Sequence, residues 1–261
     1  DFRGAMDAYR LGSDRSGYSQ ALRLYRREWI NANFGSAMTV IILLIILAGV
    51  IKWVQRRKQA GVEQEYVGLA VDESKGRFDS YIKSLKYAFH VIVHPADGFW
   101  DLKHEGRGNV LSASTILIMV IITYIAMRQY TGFVFNYNDP RQLNIYLELA
   151  SVLLPFLLWC AVNLGLTSLM EGKGNFRDIY IATAYALTPL ILINIPLILL
   201  SNVIILEEGA FYYVAGAIAV VWTGFLLIIG TQITHEYETG KNLITNLLTV
   251  VGMQVVIFIG L

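Results

Sequence analysis

The 261 residues are 55% hydrophobic and only 16% charged, with a formal net charge of +1. The apolar residues gather in long uncharged runs rather than at soluble-helix or strand spacing, which excludes an ordinary water-soluble domain. The near-zero charge and the absence of a basic stripe interleaved with aromatics argue against nucleic acid, and the single cysteine, Cys160, excludes a disulfide framework.

Uncharged windows long enough for a hydrocarbon core of roughly 30 Å fall at about 36–51, 110–127, 149–170, 179–202, 209–233 and 243–261. They predict an all-α fold, a polytopic membrane bundle of six transmembrane helices in which one span (36–54) precedes a five-helix domain (110–261). The first window is the shortest and reaches full length if Lys52 and Trp53 snorkel to the interface. Cys160, inside a span, reads as a small core hydrophobe.

The chain opens on Asp1, so a processed product or the tail of a longer polypeptide is expected, and nothing before residue 36 resembles a signal peptide. Residues 1–33 read as two short helices broken at Gly12-Ser13-Asp14-Arg15-Ser16-Gly17. Phe2, Ala5, Met6 and Tyr9 share one face, and Tyr18, Ala21, Leu22, Tyr25 and Trp29 share another. The spacing resembles a tetratricopeptide hairpin, and one such repeat cannot bury its own face. Tyr18, Tyr25 and Trp29 are therefore candidate partner-binding residues; an amphipathic lead-in lying on the membrane is the equal alternative.

Lys52, Arg56, Arg57 and Lys58 form a basic cluster directly after the first span, as expected on a cytoplasmic face. Residues 55–77 read as a polar linker. From Phe78 the apolar residues Tyr81, Ile82, Leu85, Ala88, Phe89, Ile92 and Val93 recur at helical spacing, so 78–109 reads as an amphipathic interfacial helix that ends at His94-Pro95, with Gly98, Gly106 and Gly108 breaking up the approach to the second span. Loop charges place residues 52–109 in the cytoplasm of a cell-membrane protein and both termini outside. Lys173, Arg177 and Lys241 fall on the inner side, and Glu207 and Glu208 on the outer.

The run His94-Pro95-Ala96-Asp97-Gly98-Phe99-Trp100-Asp101-Leu102-Lys103, followed by Arg107-Gly108 and then five spans, resembles the approach to the membrane domain of Yip (Ypt-interacting protein) family proteins. Glu171-Gly172-Lys173-Gly174-Asn175-Phe176-Arg177 leading into Ala184-Tyr185-Ala186-Leu187-Thr188-Pro189, and 235–241 before the last span, extend the resemblance over roughly 79–261. Pro95, Gly98, Phe99, Tyr185 and Pro189 are its motif residues. The resemblance implies a five-helix membrane domain with a cytosolic amino-terminal side. In the eukaryotic branch it implies Rab GTPase binding, but the Asp-Leu-Tyr-Gly-Pro element of that branch is absent here and a sixth span precedes the five, which speaks against a Rab-type GTPase as partner. No outside segment holds an Asn-x-Ser/Thr acceptor, which fits a bacterial-type member.

Candidate chemistry is sparse. His90, His94, His104 and Glu105 could offer metal ligands, but lacking cysteine partners they read as interfacial histidines, and no metal or cofactor is expected. Asp97, Asp101 and Glu105 read as a solvated or ion-paired cap beside Lys103 and Arg107. Glu148, at the outer edge of the third span, reads as an interfacial anchor. In the fourth span Pro189 and Pro196 each free a carbonyl one turn back, to be satisfied by Thr183, Thr188, Asn194 or a neighbouring helix. Asn163, Thr188, Pro189, Asn194 and Pro196 form the candidate intramembrane polar cluster. With no catalytic group in sight, a non-enzymatic scaffold or accessory subunit is expected, contacting membrane lipid and another membrane protein or complex, a transporter among the candidates. The alternative is a passive, channel-like transporter with its path at the proline-broken fourth span.

Overall fold

The computed structural model describes residues 1–61, 73–138 and 144–260, and every regular element among them is helical. The chain divides into two compact units, Asp1–Lys75 and Gly76–Leu261.

In the first unit α1 (Phe2–Leu11) begins on Asp1, whose carboxylate accepts the Gly4 N–H at 3.1 Å. A tight turn with Ser13 at φ 55° leads to α2 (Arg15–Gly61), where the Asp14 carboxylate accepts the Gly17 N–H at 3.0 Å. Ser19, Ala21 and Leu22 are buried in the hairpin seam. A Cβ at Gly17 would collide with the Tyr9 ring, so the glycine lets the two helices close.

No loop separates hairpin from first span: α2 runs on as one helix of 47 residues, and the expected junction is a bend of 47° between Arg15–Ser36 and Met38–Ile51. Polar residues near the bend bond their own helix instead of breaking it. Asn33 Nδ2 donates to the Trp29 carbonyl at 2.9 Å, Ser36 Oγ to that of Asn33 at 2.9 Å, and Thr39 Oγ1 to that of Gly35 at 2.8 Å. Such back-bonding keeps the helix continuous while curving it. Of the expected 55–77 linker, 62–72 lie outside the described residues, and its flanks belong to helices.

The second unit opens with α3 (Glu73–Val93) and α4 (Pro95–His104), followed by α5 (Val110–Tyr130), α6 (Ile145–Leu169), α7 (Phe176–Ala186), α8 (Thr188–Ser201), a 3-10 turn at Leu206–Glu208, α9 (Gly209–His235) and α10 (Thr239–Gly260). Five spans result, at Val110–Tyr130, Ile145–Leu169, Phe176–Ser201, Leu206–His235 and Thr239–Gly260; the bent α2 is the sixth if it counts as one span. They alternate in direction, so α4, the loop after α6 and the turn after α9 share one end of the bundle, the α4 end. The far end is tied where Ser201 Oγ accepts the Gly132 N–H at 2.8 Å and Asn202 Nδ2 donates to the Tyr130 carbonyl at 2.9 Å.

Two expectations for 78–109 are corrected. The apolar set of α3 splits between two faces: Ala88 joins the bundle core with Leu85 and Ile92 against it, whereas Phe89 and Val93 stay exposed, and Val91, outside the expected set, is fully buried. Gly98 does not disrupt a helix but lies inside α4, because a Cβ there would meet Val91 Cα at 2.7 Å and force the α3–α4 corner open. The fourth span also differs from a single kinked helix. It is broken at Leu187 into α7 and α8, with Pro189 in the first turn of α8, where a missing N–H costs nothing.

Candidate functional site

The motif residues converge on the corner that joins α3 and α4 to the bundle. Pro95 starts α4, and Phe99 lies buried against Gly230 of α9, where an added Cβ would stand 3.1 Å from the ring. Tyr185, fully buried on α7, donates its hydroxyl to the Ser84 carbonyl of α3 at 2.8 Å and lies 2.9 Å from Ser112 Oγ of α5. Ser84 and Ser112 hydroxyls bond each other at 2.8 Å, and Ser112 forms a capping box with Asn109 at the start of α5. One phenol thus joins three helices through a closed polar network.

Pro189 removes the donor to the Tyr185 carbonyl, and Thr188 Oγ1 supplies it instead at 2.7 Å. That is one of the substitutes expected for the proline-freed carbonyls.

The candidate polar cluster is not one site. Asn163 lies near the α4 end in a network that sequence reasoning missed, centred on the buried His235 at the end of α9. The Gly174 N–H can only donate, so it fixes His235 Nδ1 (3.3 Å) as an acceptor and places the ring proton on Nε2, which donates to Asn163 Oδ1 at 2.6 Å. Asn163 Nδ2 in turn reaches Thr249 Oγ1 at 3.4 Å, and Lys173 N–H donates to the His235 carbonyl at 3.3 Å. This neutral imidazole bonds α9 to α6 and to the loop before α7. A histidine closing an otherwise uncharged apolar run is the only sequence signal for it.

Asn194 and Pro196 stand apart from this network. Asn194 makes no hydrogen bond among the described residues and faces a cavity of about 680 Å³ lined mainly by apolar side chains from all five spans; Pro196 is exposed on α8.

At the same end as His235, Glu236 caps α9 in the left-handed region (φ 57°, ψ 41°) and receives Lys103 Nζ at 2.7 Å and Lys173 Nζ at 2.6 Å. Hydrogen bonds from the two ammonium groups pull its carboxyl down to about 2. Of the expected cap, Arg107 Nε bonds Glu105 at 2.7 Å and stands 3.5 Å from Asp101, whose carboxylate accepts the Tyr87 hydroxyl, whereas Lys103 pairs with Glu236 instead. Burial and that carboxylate raise the Tyr87 phenol above its ordinary range. His90 stacks on His94 (4.9 Å) and His104 on Trp100 (3.8 Å), and no group of three metal-ligating side chains occurs among the described residues. Cys160 is fully buried in the core.

Glu148, expected as an interfacial anchor, is instead buried and paired with Arg128 Nε at 3.0 Å. In the first unit Tyr25 accepts a hydrogen bond from Arg3 at 2.6 Å and Tyr18 is half-buried, whereas Trp29 remains 52% exposed.

These features define a polytopic helical membrane protein whose polar groups knit helices together around a broken fourth span. Residues 89–261 match the Yip1 domain, and the chain belongs to that family. Neither a curated protein nor a solved structure matches the chain.

Proposed function

We propose that the protein is a non-catalytic membrane scaffold or accessory subunit: the Yip1 bundle holds the α3–α4 corner at the cytoplasmic face of the cell membrane, and the amino-terminal helices, outside, recruit another membrane protein or complex. The observation that carries the reading is the inward commitment of the bundle's polar side chains. His235, Asn163, Tyr185, Ser84, Ser112 and Thr188 all bond between or within helices, so these side chains hold the bundle together rather than line a path for a solute. Trp29, with Leu24 and Ile30 also exposed beside it, is the open part of the candidate recruiting face.

Passive transport is the second reading, favoured by Thr183 and Asn194 lining a cavity beside the α7–α8 break. Proteoliposome flux and copurification separate the two. A scaffold gives no specific flux and loses a copurifying membrane partner when Trp29→Ala is introduced; specific flux abolished by Asn194→Leu overturns the scaffold.

A further inference from the structure

We propose that the 680 Å³ cavity binds one acyl chain of a glycerophospholipid, whose phosphate sits against Arg128. The lining residues run from Tyr212 to Leu227 on α9, about 22 Å at 1.5 Å per residue, so the space is elongated along the bundle axis and exceeds the roughly 15 Å depth of one leaflet's hydrocarbon. Its walls are apolar or aromatic: Phe156, Trp159, Leu190, Leu197, Tyr212 and Met253 contribute. Irregular points of two spans border it, Pro155 on α6 and Leu187 at the α7–α8 break, and Gly216 of α9 leaves it room.

The cavity opens sideways. α6 packs on α5, α7 and α10 but makes no substantial contact with α8 or α9, so the far half of the bundle is split between the α6–α10 pair and the α8–α9 pair. Such a cleft faces hydrocarbon, and the molecule that reaches it is a membrane lipid. A polar end sits where a headgroup belongs. Arg128 lies one helical turn beyond the lining residue Tyr124, and its partner Glu148 one turn beyond Ser151 and Val152, so this ion pair stands one turn past the cavity lining at the far end of α5 and α6. Arg128 meets Glu148 through Nε, its side chain is 35% exposed, and its amino groups donate no hydrogen bond among the described residues. They are donors suited to a phosphate.

The test uses the detergent-purified full chain with Trp29, Trp53, Trp100 and Trp222 changed to Phe, leaving Trp159 as the reporter in the cavity wall. It is titrated with phosphatidylcholine brominated in mid-chain. Quenching that saturates near one lipid per protein supports the proposal; quenching that rises only in proportion to the lipid fraction of the micelle overturns it. At Gly216 a Cβ would meet nothing nearer than Leu197 Cδ2 at 3.9 Å, so Gly216→Leu fills the cavity without displacing backbone and abolishes the saturable component. Persistence of that component in the monodisperse variant overturns the site. Arg128→Gln combined with Glu148→Gln, which leaves no unpaired charge, raises half-saturation about tenfold. An unchanged half-saturation removes the headgroup contact. Native mass spectrometry of the unmutated chain needs no folded variant: one retained phospholipid supports the site, and its absence overturns it.

Discussion

At the scale of single residues, His235 and Glu236 show how one end of the bundle uses adjacent side chains for opposite purposes. His235 turns inward as a neutral imidazole with both nitrogens bonded, and Asn163 is the only partner of its Nε2 proton. Asn163→Leu leaves that buried donor unpaired, and a loss of about 1–3 kcal/mol is expected, read as a lower detergent melting temperature. Thr249→Val, which removes the 3.4 Å contact and the 2.8 Å bond to the Thr245 carbonyl of its own helix but leaves the His235 proton paired, should cost less. Glu236 turns outward, and its depressed carboxyl links stability to pH. Its contribution is fully present above the ordinary value of 4.5 and is lost as pH falls through about 2. The melting temperature of the wild type should therefore fall more steeply from pH 5 to pH 2 than that of Glu236→Gln; parallel curves would show that the lysine pairs do not stabilise the folded state. Little of this is legible in the sequence, because a hydrogen-bond partner sixty or seventy residues away leaves no periodic trace. Asn163 stands out as polar in an apolar run and His235 as the histidine that closes one, but nothing in the sequence pairs the two.

At the scale of elements, the apolar runs locate the five spans well, since a stretch of uncharged residues in lipid has few alternatives to a helix. The departures fall where side-chain contacts decide. Between hairpin and span, Asn33, Ser36 and Thr39 satisfy carbonyls of their own helix, so the junction is a bend within α2 rather than a loop. Gly98 looks like a breaker and proves to be a contact point for Val91. The proline signal is sound, although it produces a break at Leu187 rather than a kink at Pro189. There Thr188 already occupies the Tyr185 carbonyl, and Pro189 is fully buried. Alanine at 189 would restore an N–H with no acceptor, so Pro189→Ala is expected to lower the melting temperature by the equivalent of about 1–3 kcal/mol despite alanine's helix propensity. Thr188→Val should lower it less, because the Tyr185 carbonyl keeps a backbone N–H at the end of α7. Stabilisation by Pro189→Ala would mean that α7 and α8 can fuse into one helix at no loss in packing.

At the scale of the whole molecule, the alternation of α5 to α10 makes the membrane sidedness of the bundle a single binary choice. The α4 end carries Lys103, Arg107, Lys173, Arg177 and Lys241, and the basic cluster at 52–58 precedes it in the chain; the far end carries Arg128 paired with Glu148, and Glu207 and Glu208. The excess of bases predicts that the α4 end is cytoplasmic. In intact cells of a Cys160→Ala background, Glu207→Cys should react with an impermeant thiol reagent, while Glu105→Cys and the nearly fully exposed Glu171→Cys should react only after permeabilisation. Labelling at Glu105 and Glu171 but not at Glu207 would invert the orientation and leave the fold intact; labelling of Glu105 together with Glu207 would break the shared-end arrangement itself. Ser16→Cys then tests α2 independently. If the bent helix crosses the membrane, Ser16 reacts with Glu207 and the protein has six spans. If Ser16 is instead protected along with Glu105, α2 stays on the cytoplasmic face as an amphipathic lead-in, five spans remain, and Trp29 cannot recruit a partner from outside.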